Sequence, residues 1–210
     1  MVFPIRGRLD SLRRCDIVQH MNSPFRAVTT PEKARLRVED FLLLNDNGAF
    51  ADYSKTELIE GEIYFMNAQH SRHARIKTEL AFELGLLVRV LRIDLRPIIE
   101  ASTRISDNSL PEPDIVVTSY KGSHVVPLES VALIVEVSDT TLKIDLGRKL
   151  RIYAAAGIPE YWVIDAEAKV IHQMWTPAGK TYRDKRQVAL GARIEGATIE
   201  GFVVETAGLA

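Results

Sequence analysis

The sequence predicts one α/β (α+β) domain, a mixed β-sheet flanked by helices. Three observations predict it. Two segments, about 70–93 and 142–157, carry apolar residues at helical spacing. Short apolar runs of strand length lie between and after them. One of these, VALIVEV (131–137), is apolar on both faces, as a central buried strand requires.

The elements follow in order. Residues 1–30 carry Arg6, Arg8, Arg13 and Arg14 without the apolar stretch of a signal peptide, and read as an N-terminal arm or mobile extension. Met21 offers an alternative start, which would make residues 1–20 an upstream extension. The domain proper is expected over 31–210. Thr30-Pro31 is a helix-start signal, a threonine cap before a first-turn proline. Val38, Phe41, Leu42 and Leu44 then form a short amphipathic helix ending near Asn45–Gly48. Glu60-Gly61 separates two β-compatible runs and predicts a tight hairpin. Ile76, Leu80, Leu84, Leu87 and Leu91 make one apolar helical stripe, closed before Pro97. RPIIEASTRI, PDIVVTS and VALIVEVS read as strands. LKIDLGRKLRIYAAAG reads as a second helix, stopped at Gly157. EYWVID and KVIHQMW form a hairpin, and the remaining tail is polar and turn-rich.

Composition excludes several classes. The chain is 46% hydrophobic and 26% charged, that of an ordinary globular domain. No run approaches the ~18 apolar residues of a membrane helix. A single cysteine, Cys15, precludes an internal disulfide and fits a cytoplasmic location. The net charge of −1 excludes a strongly basic nucleic-acid binder, although a metal-dependent nuclease carries acidic residues that offset basic ones. There is no CxxC, HExxH, P-loop or G-x-S-x-G pattern.

Three residues stand out. Glu136 interrupts the apolar VALIVEV run, where a carboxylate is costly unless paired or bound to a cation; the alternative is that the strand ends there. Asp114 opens the preceding strand behind two prolines, either as a turn residue or as a second carboxylate at the same sheet edge. Two such oxygen donors suit Mg²⁺ or Mn²⁺. Lys149 falls on the inward stripe with Leu142, Leu146 and Tyr153. It either snorkels, pairs with Asp145 at i, i+4, or serves the carboxylates. His73 lies on the first helix's apolar stripe, as a core histidine or as a group facing the site. Arg72, Arg75, Lys77, Arg89, Arg92 and Arg96 read as a solvated face, with a phosphate groove as the alternative. Glu57 and Glu62 read as solvated hairpin residues.

The ordered set ELIEGEIY, H-x-x-I-x-x-x-L, PDIVV, IVEVS, D-x-x-x-K-x-x-x-Y and GIPEYWVID resembles the Uma-two family. That family is a branch of the PD-(D/E)XK restriction-endonuclease-like superfamily, and the resemblance runs from about Val38 to Trp175. It implies a restriction-endonuclease-like core and a Mg²⁺- (or Mn²⁺-) dependent endonuclease acting on DNA, by analogy as a homodimer. Asp114 matches the PD aspartate and Glu136 the acidic residue of (D/E)XK. Ser138 occupies the usual lysine position, and Lys149 matches the lysine moved to the next helix. The resemblance implies a metal held by Asp114, Glu136 and the Val137 carbonyl, with Lys149 and Ser138 serving the attacking water. His73 matches a family histidine, as a phosphate contact or a group behind the metal ligands. Glu83, at the stripe's edge, is a candidate for a glutamate that many superfamily members carry on this helix. Glu57 matches a recurrent family position.

Two other functions remain open: a catalytically inactive nucleic-acid- or protein-binding module on the same fold, and a hydrolase of small phosphate esters with a closed pocket. The nuclease reading expects Asp114 and Glu136 on one face, His73 facing the same cleft, and the Lys149 amine at one of the carboxylates. It expects Lys149→Ala to leave the fold intact.

Overall fold

A computed structural model of the chain describes residues 30–66 and 70–209. The arm expected at the N-terminus lies, up to residue 29, outside the described residues. Residues Ala34–Ala210 form one compact unit.

The first helix, α1 (Val38–Asp46), begins later than Thr30-Pro31 predicts. Residues 31–37 are not helical, and the Leu36 N–H donates to the Gly61 carbonyl at 3.0 Å. That bond draws the segment along the hairpin and overrides the local signal. Asp40 then accepts from the Arg37 N–H at 2.9 Å and closes the new helix start.

The hairpin joins β1 (Lys55–Ile59) to β2 (Glu62–Met66), with Ile59 opposite Glu62. Its two loop residues both have positive φ, 51° at Glu60 and 79° at Gly61, the signature of a type I′ turn. A Cβ at Gly61 would stand 2.7 Å from the Cβ of Arg35, so only glycine fits. The long helix α2 (Ser71–Leu91) follows and ends on Arg92 in the left-handed conformation.

Six strands build the main sheet. They include β3 (Arg96–Ile99), β5 (Ile115–Thr118), β7 (Val131–Ser138), β8 (Glu160–Asp165), β9 (Val170–Ala178) and β10 (Thr181–Ala189). Their order across the sheet is β10-β9-β8-β7-β5-β3. Only β7 and β8 run parallel; the other neighbours are antiparallel. A parallel pair needs a long crossover. A helical run supplies it: α3 (Leu142–Ile144), a π-helical turn (Asp145–Lys149) and α4 (Leu150–Ala156). Gly157, at φ 80°, stops α4 where the sequence predicts. Two short pairings complete the architecture. One joins β4 (Thr103–Arg104) to β6 (Val126–Pro127). The other joins β11 (Arg193–Glu195) to β12 (Val203–Glu205).

The sheet has a core on each face. On one, α2 packs Ile76, Leu80 and Leu84 against Leu133, Val135 and Val137. On the other, Ile152 and Tyr153 of α4 pack against Ile134, Tyr161 and Val163. Alternation along β7 therefore points Val137 to the α2 face and Glu136 and Ser138 to the α4 face. The long helix, the crossover helix and the central strands are those the sequence predicts, whereas RPIIEASTRI, expected as one strand, divides into β3 of the main sheet and β4 of a separate pair. The polar tail differs, because it contributes the edge strand β10 to the sheet. Its side chains are mostly exposed, so its composition resembles that of a loop.

A fully buried glutamate ties the end of the chain to the sheet. Glu160 accepts from Trp162 Nε1 and Gln173 Nε2, both at 2.6 Å, and from the Thr198 N–H and hydroxyl at 2.9 and 2.8 Å. Removing it strands several buried donors. Glu160→Ala should lower unfolding free energy by roughly 3 kcal/mol or more. Urea denaturation checks this; an unshifted midpoint would contradict the structural role.

Candidate active site

The carboxyl-terminal ends of β7 and the chain entering β5 open on a cavity of about 550 Å³. Asp114, Glu136, Val137, Lys149 and His73 all line it. The two carboxylates thus face one space rather than opposite sides of the sheet.

Asp114 is buried just before β5. Its Oδ1 lies 3.0 Å from His73 Nε2, and its Oδ2 accepts from the Val137 N–H at 2.8 Å. Burial works to raise its pKa. The His73 hydrogen bond and charge, Lys55, and the Val137 N–H outweigh that and hold the carboxyl below its ordinary value. His73 is placed here by the apolar stripe of α2, one turn before Ile76.

Glu136 is 3% exposed. Its Oε1 accepts from Lys149 Nζ at 3.0 Å and from the Tyr153 hydroxyl at 2.8 Å. Lys149, 2% exposed, also donates to Glu57 Oε1 at 3.0 Å. The α-helical spacing does put Lys149 inward, but its hydrogen-bonded partners are the two glutamates and not Asp145. Asp145 accepts instead from Ser138 Oγ at 2.7 Å and Thr141 Oγ1 at 2.6 Å. Ser138 is thereby committed to Asp145.

One ammonium therefore answers three buried carboxylates. Desolvation pulls the Lys149 pKa down, but Glu136, Glu57 and Asp145 raise it further, so the ammonium stays charged. Burial, helped by Asp145, Asp114 and Glu57, pushes Glu136 up to about 8 against the pull of Lys149. Burial also lifts Asp145 above its ordinary range, against Lys149, Ser138 and Thr141. The excess negative charge is relieved by proton uptake. Tyr153, with its pKa raised by burial, remains a neutral phenol and a donor.

Several expectations change. Glu57 is not a solvated hairpin residue: it is fully buried, and besides Lys149 its Oε1 accepts from the Glu112 N–H at 2.9 Å. Its Oε2 is buried without a hydrogen-bond partner among the described residues. Lys77 does not belong to a solvated face; it is buried on α2, bonds Glu100 and lies 3.9 Å from Asp114 Oδ1. Arg96 lies on β3 and not on the helix. Glu83 is half-buried and does not line the cavity. Arg148 does line it, although helical phasing points it away. Among the described residues, no group of three or more His, Cys, Asp or Glu side chains is arranged to hold a metal ion.

A mixed sheet with a βαβ crossover, flanked by helices, makes this a restriction-endonuclease-like α/β protein, with two acidic groups and a lysine of the crossover around one cavity. The chain belongs to the Uma2 family: the family model described as "Putative restriction endonuclease" matches residues 38–207. Among solved structures, the chain is similar to "a putative nuclease belonging to DUF820" from Anabaena variabilis ATCC 29413. The TM-score is 0.63 at 16% identity, over 83% of this chain and 97% of that one. That likeness is one of fold. No curated protein matches the chain. No helix among the described residues is long and apolar enough to cross a membrane.

Two stability predictions follow from the buried charges. Removing one partner of a buried ion pair costs about 3–5 kcal/mol. Lys149→Ala or Lys149→Met should therefore destabilise the fold by that order in equilibrium denaturation, contrary to the expectation of an intact fold. Adding Glu57→Gln and Glu136→Gln should recover most of the loss.

The second concerns pH. A carboxyl whose folded pKa lies above its unfolded value favours folding below the unfolded pKa, and that contribution is lost as pH rises through the folded one. For Glu136 the window runs from the ordinary 4.5 to about 8. Glu136→Gln should thus gain stability relative to the parent between about pH 5 and 9. A pH-independent difference in denaturation midpoints would show that Glu136 does not take up the proton.

Proposed function

We propose that the chain is a Mg²⁺- (or Mn²⁺-) dependent endonuclease that hydrolyses DNA phosphodiester bonds. Family and fold together support a nuclease. The observation that carries the reading is one cavity lined by two buried carboxylates, Asp114 and Glu136, and a charged ammonium, Lys149.

The donor set fits a hard divalent cation. Mg²⁺ is typically held by one or two carboxylates, keeps several waters and takes substrate phosphate oxygens. Asp114 and Glu136 supply the carboxylates, and the Val137 carbonyl would complete the protein's share. The Lys149 and Tyr153 bonds to Glu136 both fall on Oε1. When bound, the cation would polarise the scissile phosphate and acidify a water.

The chain's own residues have separable tasks. His73 and the Val137 N–H fix the Asp114 carboxylate and keep it ionised. Tyr153 and Lys149 fix Glu136. Lys149 orients the attacking water and offsets charge developing on the phosphate. It does not act as a base in this arrangement, because its carboxylate neighbours hold it protonated. Ser138 acts through Asp145, on the same turn as Lys149, by holding its carboxylate.

Mn²⁺ binding by calorimetry and Mg²⁺-dependent cleavage of plasmid DNA test the reading. Asp114→Asn should abolish measurable cation binding and lower cleavage at least about a hundredfold. Lys143→Ala, an exposed lysine on α3, should cut like the parent. A parent protein that binds no Mn²⁺ and leaves DNA intact would overturn the proposal in favour of a non-catalytic module.

A further inference from the structure

Besides the carboxylates, the cavity has lining of different chemistry. Ile59, Met66 and Ile144 give it apolar surface, and Tyr64 and Arg148 give it two planar groups. The Arg148 guanidinium lies over the Tyr64 ring, 4.8 Å from its centroid. Glu62 fixes both: its Oε2 accepts from the Tyr64 hydroxyl at 2.8 Å and from Arg148 Nη1 at 3.4 Å. The hairpin turn sets Tyr64 on the same strand face as the partner of its register, Glu57, so the ring faces inward. The π-helical turn brings Arg148 to meet it.

This wall suits a flat, weakly polar group better than a phosphate. The charge of Arg148 is already answered by Glu62, and its guanidinium already sits over the Tyr64 ring. A guanidinium or aromatic plane held in this way is a stacking surface for a nucleobase. Size points the same way. A cavity of about 550 Å³ falls in the range of single small-molecule sites. An enzyme that receives a base in a pocket of that size takes it out of the duplex stack first.

We propose that the Arg148–Tyr64 wall stacks the base of one unpaired nucleotide beside the scissile phosphate. The substrate class is then DNA presenting an unpaired nucleotide, either as a single strand or as a base extruded from a duplex. This rests on the nuclease reading, and deepens it by naming the substrate.

The test uses the full chain and fluorescein-labelled oligodeoxynucleotides of one sequence in three forms: single strand, perfect duplex, and duplex with one unpaired base. Affinity is measured in Ca²⁺ by fluorescence anisotropy and cleavage in Mg²⁺ on gels. The parent should bind and cut the unpaired forms in preference to the perfect duplex. Preference for the single strand or for the bulged duplex identifies which source is used. Arg148→Lys keeps the charge and removes the plane; Tyr64→Leu removes the ring beneath it. Each should weaken binding of the unpaired forms about five- to a hundredfold, the scale of one base stack. Thermal melting shows that both variants remain folded. Equal binding and cutting of perfect duplex and single strand, unaffected by Arg148→Lys, would overturn the inference and leave the nuclease reading standing. Hydrolysis of bis(p-nitrophenyl) phosphate with no oligonucleotide bound or cut would overturn both.

Discussion

The structure depends on the ammonium of Lys149, buried between Glu57 and Glu136. Each carboxylate comes from a different part of the chain: one from the hairpin, one from the central strand, with the lysine on the crossover helix. Desolvating three charges is expensive, and a well-packed apolar replacement of such a cluster is often no less stable. The surrounding elements must therefore hold the cluster in place. Tyr153 closes it from α4, the Glu112 N–H closes it from the chain before β5, and Ser138 and Thr141 hold Asp145 behind it. A fold that gathers three carboxyl groups around one buried cation, so that protons must be taken up to relieve the charge, has its electrostatics arranged for something other than stability.

Burial of a glutamate is not itself a sign of a site, as Glu160 shows. It too opens into the interior from a central strand. Its oxygens are surrounded by neutral donors of Trp162, Gln173, Ala197 and Thr198, and it does not line the cavity. Glu136 instead keeps company with an ammonium and other carboxylates on an open space. The distinction lies in the partners, and those are tertiary.

This explains what could be read from the sequence. The helices and central strands were legible because apolar periodicity is local. Glu136 was legible because a charge in an apolar run breaks a local pattern, and Lys149 because helical spacing carries it inward. Glu57 gave no such signal. It sits in KTELIE among polar neighbours, and its burial depends on a helix that arrives ninety-two residues later in sequence. Lys77 was hidden in the same way, within a row of arginines that are exposed. Thr30-Pro31 predicts too early a start for α1, because it is a sound local signal that the pairing of Leu36 with Gly61 defeats. Strand β10 leaves no local signal, because an exposed edge strand has a polar composition.

The π-helical turn connects the two walls of the cavity. A regular α-helix through 142–156 would keep Lys149 on the inner stripe and carry Arg148 about 100° away from it. The wider turn packs more residues into each revolution. Asp145 and Lys149 stay buried on the sheet side, while Arg148 is brought round far enough to cover Tyr64. Gly147, within the turn, has open space at its Cβ position, so no steric need places the glycine there. Its weaker helical preference eases the departure from α geometry. One local irregularity thus adds the flat Arg148–Tyr64 wall to a cavity whose cation regular helical spacing already supplies. A change that restored regular α-helix across this segment would leave Lys149 beside the carboxylates and turn Arg148 away from Tyr64, so the flat wall depends on the irregularity and the charged one does not.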